Sequence, residues 1–350
     1  LYGANAHSAV VSIFTRRKTE NLAEVFTGCG EHGRTSLHGR VGYQAGKWRF
    51  QLSGGVDYAY RWRNQEWIEK LGPPATDPLE RDTARVMLRV EYESSIGRTS
   101  AMAGLVTAEG PIHSIIGAAG MHDAIFTHFA ATHSNDWLKG QLSFNGMSLT
   151  ATNDTRDDRS EYSDISFAGT KMGEAITDMP IFGATLDADV QLNWSAFEGN
   201  MIVIGGGYRW TGVFSDVMNP QNNYQHRVGA YLHYEQRLGK QLILTSGIRF
   251  DINTLTPFTV SPRLAGVWRF AEDQHLRLAF GQAFRKPSFF NAQAHLGDIR
   301  AEAAFPEVED FMQRAIGNKD LENESMTSLE AGYRGRFFDE RLSAEAVAFY

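Results

Sequence analysis

The feature that most constrains this chain is an alternation of period two that runs on far beyond the length of an ordinary strand. From Lys47 to Arg63 the even positions carry Trp48, Phe50, Leu52, Gly54, Val56, Tyr58, Tyr60 and Trp62. The odd positions carry Lys47, Arg49, Gln51, Ser53, Gly55, Asp57, Ala59, Arg61 and Arg63. Successive side chains of a strand point to opposite faces, so this run has one apolar and one polar face. Its 17 residues compare with about 5–6 in a usual strand. The pattern returns at Arg85–Tyr92, Leu186–Trp194, Leu242–Ile252 and His275–Arg285. Applied throughout, it predicts fifteen strands near 19–28, 34–45, 47–63, 83–95, 98–109, 123–134, 137–152, 184–197, 200–214, 225–238, 240–252, 258–270, 274–285, 325–338 and 341–350.

The connectors sort by length. Tight ones fall near Gly46, Ile96-Gly97, Asn135-Asp136, Glu198-Gly199, Gly239, Ala271-Glu272-Asp273 and Asp339-Glu340. Long ones fall at 64–82, 110–122, 153–183 and 286–324, and the shorter connectors near 29–33, 215–224 and 253–257 occupy the same alternate places. Strict alternation is what an up-and-down antiparallel sheet requires when all tight turns lie at one end and all loops at the other. Proline agrees, because it is poorly tolerated inside paired strands. Pro73, Pro74, Pro78, Pro111, Pro180, Pro220, Pro257, Pro287 and Pro306 lie in loop-side connectors, and only Pro262 falls within a predicted strand.

Long amphipathic strands, short turns at one end, long loops at the other and aromatics near the strand ends together predict an all-β fold, a transmembrane antiparallel β-barrel. Trp48 at one end, and Tyr58, Tyr60 and Trp62 at the other, would lie in the two interfacial girdles. A soluble sandwich or propeller is the alternative, but its strands are shorter and its connectors do not segregate so cleanly. Composition narrows the field further. A single cysteine, Cys29, excludes an internal disulfide, and a net charge of −7 argues against a nucleic-acid partner. No run of 18 apolar residues is present, which excludes an ordinary membrane-spanning helix but not a barrel. The chain opens without a signal peptide and closes inside an alternating segment, so an internal fragment is expected.

Leu1-Tyr2-Gly3-Ala4-Asn5-Ala6, followed by Val10 to Arg17, resembles the end of the plug domain of TonB-dependent outer-membrane receptors. Four later segments are similar to the family's barrel motifs in their usual order. They are Ser261-Pro262-Arg263-Leu264-Ala265, Ala283-Phe284-Arg285-Lys286-Pro287-Ser288, Asn318-Lys319-Asp320-Leu321-Glu322-Asn323-Glu324 and Ser328-Leu329-Glu330-Ala331-Gly332-Tyr333. Ala9 and Ser12 depart from the Gly and Asn usual there.

The resemblance implies a barrel of about 22 strands with a plugged lumen. On that basis residues 1–18 are the end of the plug, and 19–350 are a barrel short of roughly seven strands. Gly3, Asn5, Ala6, Pro262, Arg263, Phe284, Arg285, Pro287, Asn318, Leu321, Glu324, Glu330 and Gly332 are then structural motif residues. Also implied are the bacterial outer membrane and contact with its lipid, periplasmic tight turns, and TonB as partner through an N-terminal segment outside this fragment. The implied function is active uptake of a scarce, bulky ligand, most commonly a ferric siderophore. Cobalamin, haem or glycan uptake, or a non-energised pore or adhesin, are the alternatives.

No HExxH, GxSxG, Walker loop or strand-to-helix GxGxxG is present, so no enzyme activity, catalytic residue or cofactor is expected. Gly205-Gly206-Gly207 lies within a predicted strand, where a close backbone approach explains it better than phosphate does. His113, His122, His128 and His133 lack a metal-ligand spacing. Charge points to the loops: 153–183 holds seven acidic against three basic residues, and 286–324 eight against four, a net of −4 each. An acidic mouth would disfavour anions and favour cations, although a solvated outer surface accounts for the same charge. Asp154, Asp157 and Asp158, with Phe289 and Phe290, are the loop candidates for ligand contact.

Overall fold

The computed structural model describes residues 22–31, 33–60, 80–114, 117–152, 166–167, 170–171, 179–215, 218, 223–256, 258–293, 295–296, 315–318 and 320–350. Fifteen strands of 8 to 18 residues form one sheet. They are β1 (Leu22–Cys29), β2 (Thr35–Ala45), β3 (Trp48–Tyr60), β4 (Glu80–Ser94), β5 (Gly97–Ser114), β6 (Gly117–Ser134), β7 (Leu138–Thr152) and β8 (Met179–Trp194). The sheet continues through β9 (Asn200–Phe214), β10 (Tyr224–Leu238), β11 (Leu242–Asn253), β12 (Thr259–Ala271), β13 (Gln274–Arg285), β14 (Glu324–Phe337) and β15 (Leu342–Phe349). Each strand pairs antiparallel with its neighbours in sequence. The order is therefore a pure meander, and the alternating connector lengths follow from it. A short helix, α1 (Phe289–Gln293), follows β13.

The register puts the apolar positions of neighbouring strands in rows. Val41 on β2, Leu52 on β3 and Leu88 on β4 lie directly opposite one another on one face, 57%, 52% and 47% exposed. Phe50 with Tyr43 and Val90, and Leu186 with Phe144 and Trp210, repeat the arrangement. A continuous apolar face of this extent is stable only against lipid or another apolar surface. Rings gather at both ends of it. At the turn end, Trp48 lies against Tyr92 at a tilt of 40°, with centroids 4.6 Å apart, and Trp137, Trp194 and Trp268 stand exposed. At the loop end, Phe182 meets Phe214 at 5.8 Å and Phe250 meets Phe258 at 6.0 Å. This is the two-girdle pattern of an outer-membrane barrel wall.

The other face is polar and concave. Residues spread over nine successive strands, from Phe26 on β1 through His38, Met87 and Asn145 to Thr211 on β9, line one cavity of about 830 Å³. Ion pairs fill the turn-side part of this face: Arg49 and Arg89 on Glu91, and Arg49 and Arg98 on Glu93. A small apolar cluster of Ala124, Leu149 and Ala151, with Phe126, Met147 and Ile181 against it, interrupts the polar surface.

Two expectations about connectors change. Residues 110–122 are not a loop throughout: β5 runs to Ser114 and β6 begins at Gly117, with Pro111 opposite Gly120. The register shift between Ala108 and Gly110 marks where the hairpin leaves the regular wall. Pro180 likewise lies in β8, at its second residue, opposite Thr150. Pro262 lies in β12 as expected, and the ladder from β12 to β13 begins one residue later, at Arg263. Its missing N–H therefore removes no bond from that ladder.

Candidate functional site

On the concave face of β8 to β11 the odd positions bring three arginines onto adjacent strands. Arg209 on β9 lies directly opposite Arg227 on β10, and Arg227 lies opposite Asn253 on β11. Arg249, four residue pairs further along the β10–β11 ladder, lies opposite Tyr231. Two of the three have local counter-ions. Arg249 makes a two-pronged contact with Asp251, at 2.7 and 2.8 Å, and both side chains are buried. Arg209 pairs with Asp187. Among the described residues no carboxylate lies within ion-pair distance of Arg227.

Small residues make room for this arrangement. A Cβ on Gly229 would collide with the Arg249 guanidinium and the Asp251 carboxylate, and one on Gly205 would collide with the Tyr231 ring. At Gly205 the close approach is therefore by a side chain, the Tyr231 ring, and not by the backbone that the glycine triplet led one to expect. The Tyr231 ring lies under Arg249, 5.8 Å from its guanidinium carbon, and its hydroxyl donates to Gln191 at 3.3 Å. Asp189, opposite Gly207, completes the patch.

Above the arginines, towards the loop ends, the buried Gln225 side chain donates to Asn253 Oδ1 at 2.5 Å. It also accepts from Lys286 Nζ at 2.8 Å. Lys286 follows β13, so its side chain spans β12 and β11 to reach β10, a reach that the concavity of the wall permits. Burial holds the proton affinity of Lys286 down to about 8, and the neighbouring charges of Arg227 and Arg209 add to the effect. Cations are concentrated here against one another.

The sequence-based candidates fall elsewhere. Asp154, Asp157, Asp158, Gly3, Asn5 and Ala6 lie outside the described residues. Phe289 and Phe290 open α1, where the Phe289 side chain is half-buried. The remaining motif residues gather on and around three adjacent strands. Arg263 faces Gly281, Arg285 pairs with Glu324 at 3.5 Å, and Glu330 accepts from Arg277 at 2.7 Å, with Gly332 opposite that arginine. Phe284 is buried and Pro287 half-buried. The Asn318 amide donates to the Asn291 carbonyl and its side chain accepts from the Asp320 amide, both at 2.9 Å, and the half-buried Leu321 leads into β14. None of these lies in the arginine group. His128 and His133, at 2.7 Å from Asn145 and 2.9 Å from Thr99, fall on opposite faces of β6 and do not converge. The arginine group did have a sequence signal: Arg209, Arg227 and Arg249 occupy the polar parity of three consecutive strands.

Comparison with known proteins places this wall. Residues 117–350 match the family model described as TonB dependent receptor-like, beta-barrel. Among solved structures, the chain is similar to the siderophore receptor PirA from Pseudomonas aeruginosa. That match has a TM-score of 0.66 and 16% identity, over 99% of this chain and 59% of that one. It is also similar to a mutant of the ferric enterobactin receptor PfeA from the same organism in complex with enterobactin, at 0.67 and 12%, over 99% and 56%. A double mutant of the Serratia marcescens hemophore receptor HasR, in complex with its hemophore HasA and heme, matches at 0.62 and 12%, over 93% and 54%. The chain thus spans under three fifths of the length of these relatives. Among the curated proteins no match was found.

Proposed function

The chain belongs to the TonB-dependent receptor-like β-barrel family, and from that premise we propose that it is the larger part of the barrel of a bacterial outer-membrane receptor for energised uptake of a scarce, bulky ligand. A ferric siderophore is the cargo class we favour. The observation that carries this reading is the family match falling on a meander whose outer face is apolar between two aromatic girdles and whose inner face is polar. Supporting the cargo class are the siderophore receptors among the structural neighbours. The likeness to HasR keeps haem as the second reading.

In this proposal residues 1–18 are the end of a plug and residues 19–350 the wall. Cargo is captured on the loop side and released inward when the plug moves. The wall holds no nucleotide-binding motif, so the work is assigned to TonB, the partner that the family implies, and no catalysis is assigned to the chain. Orientation follows from the tight turns, which are assigned to the periplasmic side.

The test is uptake of ferric complexes by paired strains with and without TonB, each expressing the full-length receptor. Binding in both strains with accumulation only in the TonB-positive one is the expected result. Equal accumulation in both would leave a passive pore as the better reading.

A further inference from the structure

We infer that a groove on the outer face of β1 to β5 seats one acyl chain of an outer-leaflet lipid, and that the lipid it takes carries an amine at the end of its headgroup. This inference rests on the outer-membrane placement of the wall. It goes beyond uptake, because it concerns what the barrel holds on its outside.

The groove comes from the register. Gly39 on β2 and Gly54 on β3 lie directly opposite each other at outward positions. Val25 on β1 faces Gly39 and Val86 on β4 faces Gly54, so a valine closes the row at each end. On the turn side Val41 opposes Leu52, and on the loop side Leu37 opposes Val56. Side chains thus ring a floor of bare backbone, and the space is about 540 Å³. One corner of the ring is low. Small Ala84 lies opposite Val56, and Thr107 on β5 lies opposite Ala84, so the groove opens diagonally towards the loop end.

The floor itself is the observation that points to an occupant. Among the described residues, a Cβ on Gly39 would meet only the Glu24 carbonyl, at 3.9 Å, which is an ordinary contact. Glycine inside a strand gives up packing and costs chain entropy, and the wall recovers nothing for that cost at Gly39. Gly54 differs: the Arg85 carbonyl, 3.0 Å from a Cβ placed there, accounts for it.

Dimensions, depth and charge select that occupant. Leu37 and Val41 are four residues apart on β2, about 14 Å along the strand. A helix, about 10–12 Å across with its side chains, would ride on these ridges. A hydrocarbon chain, with carbon contacts at about 4–4.5 Å, reaches the floor. Gly54 is six residues above Trp48, about 16 Å up an apolar band of about 25 Å at a tilt of about 40°. The groove is therefore continuous with the lipid-facing band, lies in its outer half and opens towards its outer edge. Beyond the open corner Asp82 and Glu109, both exposed, lie directly opposite each other, level with Tyr58 of the outer girdle. Like charges so placed are destabilising, and an ammonium in the headgroup layer relieves both.

The test folds the full-length receptor into vesicles of dioleoyl phosphatidylethanolamine and dioleoyl phosphatidylglycerol in equal parts. It is then extracted in mild detergent, and retained lipid is identified by native mass spectrometry. Wild type is expected to keep one lipid per chain and to favour the ethanolamine lipid about 3- to 5-fold, the range of one exposed ion pair. Gly39→Leu should lower the retained fraction about 10-fold, equivalent to about two methylenes kept out of the groove. Gly140→Leu, on the same face near the turn end of β7 and with nothing within 4 Å of its Cβ position, should not. Should Gly39→Leu fail to fold, Val56→Ala, which lowers the loop-side ridge, should still weaken retention severalfold. Asp82→Asn with Glu109→Gln should abolish the headgroup preference and keep the lipid.

Retention that Gly39→Leu changes less than twofold would overturn the inference, as would an equal drop in Gly140→Leu. A wild-type dimer by light scattering that Gly39→Leu breaks would also overturn it, because a second copy would then be the occupant. Equal retention of both lipids would overturn the headgroup assignment. Insertion into vesicles without retained lipid would sink the groove alone, whereas failure to insert would sink the membrane placement with it. No readout here involves TonB, so the uptake reading is decided separately by accumulation in the paired strains.

Discussion

Replacing Leu52 with Arg should disable the wall at its weakest point, and the register says by how much. Trp48 and Tyr58 are ten residues apart on the outward parity of β3. At about 3.4 Å per residue and a tilt of about 40°, that separation is roughly 26 Å along the membrane normal, close to the apolar band of about 25 Å. The two rings therefore mark the edges of the band. Leu52, four residues above Trp48, lies about 10 Å inside it, near the midplane. Val56, at about 21 Å, lies close to the outer edge. Arginine costs about 2–4 kcal/mol at the midplane and about 0–1 near an interface, so Leu52→Arg should cost about 3 kcal/mol and Val56→Arg no more than about 1. Ser53, one residue on, points to the concave face opposite Arg40 and Met87. Arginine there meets one like-charged neighbour, at a cost of about 0.2–1 kcal/mol. The assay is reversible folding of the full-length protein into lipid vesicles, followed by urea titration with gel migration as readout. Equal losses at Leu52 and Ser53 would refute the two-faced wall. A loss at Val56 as large as that at Leu52 would refute the depth assignment alone.

Two further outcomes follow from the same geometry. In a Cys29→Ser background, Thr254→Cys between β11 and β12 should react with a membrane-impermeant maleimide on intact cells and Gly239→Cys should not; labelling of Gly239→Cys alone would invert the orientation. The proton affinity of Lys286, lowered to about 8, sets a pH dependence. The unfolded lysine keeps its proton up to about 10.5, so between about pH 8 and 10.5 the unfolded chain holds more protons, and stability should rise with pH across that window. Urea titration of the folded protein at pH 8, 9 and 10 reads that rise, and Lys286→Met should remove it; a rise of equal size in both would assign the titration to another group.

The wall was legible because its physics is local. Parity along one strand decides which side meets lipid, so all fifteen strands can be placed from the sequence, with ends shifted by a few residues. The misplaced segment, 110–122, shows where locality fails. Pro111 reads as a loop residue, yet the hairpin carries it to a position opposite Gly120, past a register shift that no pattern in β5 alone announces. The inner site was less legible because it is set by register between strands. Arg209 and Arg227 are 18 positions apart, and only the pairing of β9 with β10 makes them opposite. Lys286 is further still: it stands in a quoted motif and in the loop charge count, but its contact with Gln225 crosses 61 positions and depends on the curvature of the sheet.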